Sequence, residues 1–89
     1  MIDLTKYHFD DDDIKFLLEI EDGCINGQSE IILEYNGHSF VLEPHGNAVQ
    51  VYSYGAIMGK YVDFEDLLLN HKIDDKPLIE LLSELEYGE

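Results

Sequence analysis

The sequence predicts an α+β fold: a small antiparallel β-meander of about three strands, covered on one face by an N-terminal helix and two C-terminal helices. Three observations predict it. Asn36-Gly37 sits between two stretches of alternating apolar and polar residues, the apolar spacing turns helical on both sides of that region, and 45% of the residues are hydrophobic despite a net charge of −15. A chain this charged would stay disordered without that apolar content. With it, residues 1–89 form a single acidic domain with one modest core and no space for an enclosed substrate chamber.

Residues 10–21 read as the first helix. Asp10 or Asp11 caps it, further aspartates occupy the turn where the helix dipole favours negative charge, and Ile14, Leu17 and Leu18 share a face widened by Phe16 and Ile20. Gly23 is expected to end it in a left-handed conformation. Strands follow at 29–35 and 38–43, because Asn-Gly supplies the positive φ angles of a two-residue hairpin turn. Setting Tyr35 opposite His38 pairs Leu33 with Phe40 and Ile31 with Leu42 on one face. Ile32/Val41, Glu34/Ser39 and Glu30/Glu43 then lie on the other. The first face is apolar except at its tip, so it should meet the core. A turn at 44–47 leads to a third strand at 48–54. Gly55 and Gly59 bracket a piece that the pattern leaves open between a turn and a fourth edge strand. Asp63, with Asp66 one turn on, then caps a helix that buries Phe64, Leu67 and Leu68. After a polar link at 71–76, Pro77 opens a last helix to about Glu86, lined by Leu78, Ile79, Leu81, Leu82 and Leu85.

Composition excludes several functions. The chain has five lysines, scattered, and no arginine. Phosphate recognition relies on bidentate guanidinium groups and clustered positive charge, so neither direct nucleic-acid binding nor a membrane surface is expected. No stretch is long or apolar enough for a membrane span, and the first residues lack the basic and apolar pattern of a signal peptide, so the expected location is cytoplasmic. A lone Cys24 suits a reducing compartment. His8 with Asp10, Asp11, Asp12 and Asp13 invites a metal reading, yet a calcium loop started at Asp10 would meet Lys15 where glycine is needed. His8, His38, His45 and His71 have no ligand spacing and read as surface loop residues. There is no nucleophile elbow and no phosphate-binding loop, so the chain is not expected to be an enzyme or to carry a metal or cofactor.

The acidic surface remains. Glu30 and Glu43 are expected to oppose each other on the outer sheet face, with Glu34 beside them, a like-charge arrangement costing a few tenths of a kcal/mol. Tyr52 and Tyr54 are expected on one face of the third strand, where tyrosines offer contact area at low entropy cost. These five residues are the candidate partner-binding set, and a basic protein is the partner they suit. A charge of −15 equals that on ~25 Å of duplex DNA at one charge per ~1.7 Å. The expected function is therefore a non-enzymatic acidic protein-binding module, in its narrow form a nucleic-acid-mimicking inhibitor of a basic nucleic-acid enzyme of the anti-restriction, anti-CRISPR or nuclease-immunity type. The alternative is a small soluble bacterial-type domain, or a self-associating homodimer subunit, whose acidity serves solubility alone. A mimic gathers its carboxylates on one face; a merely soluble domain spreads them.

Overall fold

The computed structural model describes residues 3–26 and 30–88. After a short 3-10 helix at Leu4–Lys6 come α1 (Asp11–Ile25), β1 (Ile31–Tyr35), β2 (His38–His45), β3 (Ala48–Ser53), β4 (Ala56–Tyr61) and α2 (Phe64–Asn70). A ribbon of β5 (Lys72–Ile73) and β6 (Lys76–Pro77), a second 3-10 helix (Leu78–Glu84) and β7 (Glu86–Tyr87) complete the chain. The class is α+β, as expected. The main sheet has five antiparallel strands in the order β4-β3-β2-β1-β7, more than the three foreseen.

The hairpin register follows from the Asn-Gly turn. Asn36 and Gly37 both take positive φ, and the pairs run Tyr35↔His38, Glu34↔Ser39, Leu33↔Phe40, Ile32↔Val41 and Ile31↔Leu42. Leu33, Phe40, Leu42, Val49 and Val51 are buried beneath the helices. One helix covers each half of the sheet: α1 lies over β1 and β2, and α2 over β3 and β4. Both helices start on aspartate. The Asp10 carboxylate accepts from the Asp13 amide, and the Asp63 carboxylate accepts from the Asp66 amide at 2.7 Å. Asp13 and Asp66 bond back to the backbone amides of Asp10 and Val62.

Five expectations are corrected. Gly23 does not end α1, which continues to Ile25; it lies inside the helix, where an added Cβ would come within 2.7 Å of Ile31. Glycine here lets the helix approach the sheet closely. The third strand stops at Ser53, and Tyr54 lies in the following turn. β2 runs through Pro44 to His45, so the turn is shorter than foreseen. The link at 71–76 is not a plain loop but folds back on itself as the β5–β6 ribbon. The last helix is 3-10 rather than α. A 3-10 helix rises ~2.0 Å per residue against ~1.5 Å in an α-helix, so the same segment reaches from the ribbon to the far edge of the sheet, where β7 pairs with β1. The open segment at 55–62 forms β4. Ser29, foreseen as the first strand residue, lies outside the described residues.

Candidate functional site

The register that sends Leu33, Phe40 and Leu42 inward sends the alternate residues to the opposite face of the sheet. Successive pairs there align Ile32, Val41, Tyr52 and Ile57 in an apolar row across four strands. Ile32, Val41 and Tyr52 are half-buried among their neighbours, and Ile57 is 51% exposed. Beside this row Glu34 pairs with Ser39 on β2 and with Glu86 on β7. On its other side Glu43 pairs with Gln50, which pairs with Lys60.

Three of the five sequence-selected residues come together. Glu30, Glu43 and Tyr52 line one shallow depression of about 350 Å³ with Val41 and Gly55. Tyr52 points its hydroxyl at the Gln50 side-chain carbonyl, which holds the ring along the strand. Glu43 Oε1 lies 2.6 Å from His45 Nε2. Glu34 sits on the same sheet face outside this depression. Its directly opposed like charge is Glu86, a neighbour that the sequence reading missed because β7 is only two residues long.

Tyr54 does not share the strand face with Tyr52, a correction to the expected pairing. It occupies the first central position of the β3–β4 turn at φ 53°, before Gly55 at φ 78°, and is 88% exposed. Tyrosine is a poor choice there. Hairpin turns with two left-handed residues favour asparagine, aspartate or glycine, since a Cβ crowds the backbone at positive φ.

The structure also overturns the reading of His71 as a surface histidine. Its side chain is buried, at 8% exposure, at the C-terminal end of α2. Its Nδ1 lies 2.8 Å from the Tyr61 hydroxyl, and the ring packs near Phe40. Burial holds its pKa below the ordinary 6.5, and burial with the nearby Asp66 carboxylate raises that of Tyr61. Cys24, near the end of α1, is buried, and desolvation, aided by Glu21, pushes its thiol up to about 11. It is not an activated nucleophile.

Among the described residues no group of three or more His, Cys, Asp or Glu is placed to hold a metal ion. Asp10 and Asp13 are engaged in capping α1. No described helix is long and apolar enough to cross a membrane. No family model, curated protein or solved structure matches the chain.

Proposed function

We propose that this chain is a non-enzymatic acidic binding module, and that the outer face of its sheet receives a basic protein. The observation that carries the reading is the apolar row of Ile32, Val41, Tyr52 and Ile57, bordered by the carboxylates of Glu30, Glu34, Glu43 and Glu86. An apolar centre with a charged border is the usual anatomy of a protein interface. The border selects a partner rich in lysine or arginine and steers its approach. Tyr54, exposed at the adjoining turn at a backbone cost, supplies a further contact.

The narrower form of the proposal is an inhibitor that takes the place of nucleic acid on a basic enzyme. It draws on the net charge of −15 and on a longest dimension of 33 Å. Exposed carboxylates also stand away from the sheet face, at Asp11 and Asp12 on α1, Asp74 and Asp75 in the ribbon turn, and Glu80 and Glu84 on the second 3-10 helix. That spread counts against the narrower form and fits acidity that also serves solubility. Self-association through the same face is opposed by the repulsion of two strongly acidic copies.

The test compares wild type with a triple variant, Glu30→Gln, Glu34→Gln and Glu43→Gln, as bait in a host lysate at two ionic strengths. The captured basic protein is then titrated against each. The variant should fold with equal or slightly higher stability, and should bind more weakly with a shallower salt dependence. Equal affinity and equal salt slope would leave this face as solvated surface and the acidity as a solubility device.

A further inference from the structure

We propose that the cleft between the inner side of β2–β4 and strand β5, on the opposite side of the sheet from the acidic face, binds a small monocarboxylate with an apolar body. The cleft holds about 200 Å³. At ~30 Å³ per water that is the volume of six or seven waters, suited to a single ring or a short branched chain. Phe40 and Val51 provide an apolar lining, with Met58 and Ile73 also on the wall.

The polar chemistry comes from His71. Its ring is more than nine-tenths buried and lines this cleft. Nδ1 is engaged by the Tyr61 hydroxyl at 2.8 Å. In the tautomer where the Tyr61 hydroxyl donates to Nδ1, the imidazole hydrogen sits on Nε2. Among the described residues no partner takes that hydrogen. Among the described residues no fully buried side-chain nitrogen or oxygen is left unpaired, so Nε2 is not sealed in the core, and the ring that carries it lines the cleft. A donor fixed in a buried ring and opening on an apolar-lined cleft calls for an acceptor.

Lys72 and His38 line the same cleft. In a chain with 20 acidic residues and five lysines, this collection of donors selects an anionic acceptor. The net charge of −15 limits how anionic it can be. Repulsion grows in proportion to ligand charge, so a singly charged carboxylate is favoured over a doubly charged phosphate.

The experiment titrates the full chain with sodium benzoate, and separately with uncharged benzamide, at constant ionic strength, following backbone amide and imidazole nitrogen resonances. Benzoate should give saturable shifts confined to Phe40, Ile73 and the His71 ring. Benzamide should bind more weakly. Lys72→Gln, at an exposed position, should weaken benzoate by about fivefold, the size of a partly exposed charge contact. Met58→Trp, which fills the cleft from a residue that is 58% exposed, should abolish binding while leaving the circular dichroism spectrum unchanged. Shifts that fail to saturate or that scatter over the surface overturn the proposal, as does equal affinity for benzamide, for Lys72→Gln or for Met58→Trp.

Discussion

At the scale of single residues, His71 ties the fold to pH. Phe40 lies 6.4 Å and Tyr61 5.6 Å from its ring, centroid to centroid, and burial disfavours the imidazolium. The unfolded chain therefore takes up a proton more readily than the folded one. This contribution to stability is complete above the ordinary pKa of 6.5 and is lost as the pH falls from there towards the lower folded value. Denaturant midpoints at about pH 7.5 and about pH 5.5 should show the loss, and His71→Asn should remove this part of it. A wild-type profile identical to that of His71→Asn would refute the assignment. The burial had a signal in the sequence. The helical period that carries Phe64, Leu67 and Leu68 inward also carries residue 71 inward, but a polar side chain after the last leucine resembles the start of a loop.

At the scale of elements, the β1–β2 and β3–β4 hairpins differ in the residue that opens their turns. Asn36 enters the β1–β2 turn at φ 51°, and Tyr54 enters the β3–β4 turn at φ 53°. Replacing Tyr54 by asparagine should raise stability by about 0.5 to 1 kcal/mol, because asparagine tolerates the left-handed region. The same variant should weaken capture of the basic partner. Thermal unfolding and partner titration on one preparation check both effects; unchanged binding would make Tyr54 a bystander. These hairpins also account for what could be read in advance. Of the six cross-strand pairs that Asn36-Gly37 specified, five are formed; the sixth, Glu30 with Glu43, is not, because β1 begins at Ile31. β4 stayed undecided because the register shifts between Val51 and Tyr52: Val51 faces Gly59 and Tyr52 faces Ile57, so Met58 is an extra residue that breaks the alternation. Of the candidate site, the hairpin positions of Glu34 and Glu43 followed from that register. Glu86 did not, since two residues joining a distant strand leave no periodic trace.

At the scale of the whole molecule, composition supplied the amount of charge and the fold decided where it sits. The protein is 33 Å long and carries −15. At ~0.01 M salt the Debye length of ~30 Å lets charges on opposite sides repel, whereas at 0.15 M it is ~8 Å. The melting temperature should therefore rise as sodium chloride is added over this range, and choline chloride should act equally because the effect is screening. A flat or falling melting temperature would show that attractive pairs outweigh the repulsion. The β1–β7 pairing has a kinetic consequence. The meander assembles from strands adjacent in sequence, while Leu33 meets Tyr87 only after everything from β2 to the second 3-10 helix has folded back. Glu34 against Glu86 weakens that last closure, while the Phe16–Tyr87 edge contact and the Gly88 amide bond to Ile32 favour it. β7 is therefore the natural place for the native state to begin opening, a reversible clasp whose release bares the β1 edge while the four-strand body remains folded.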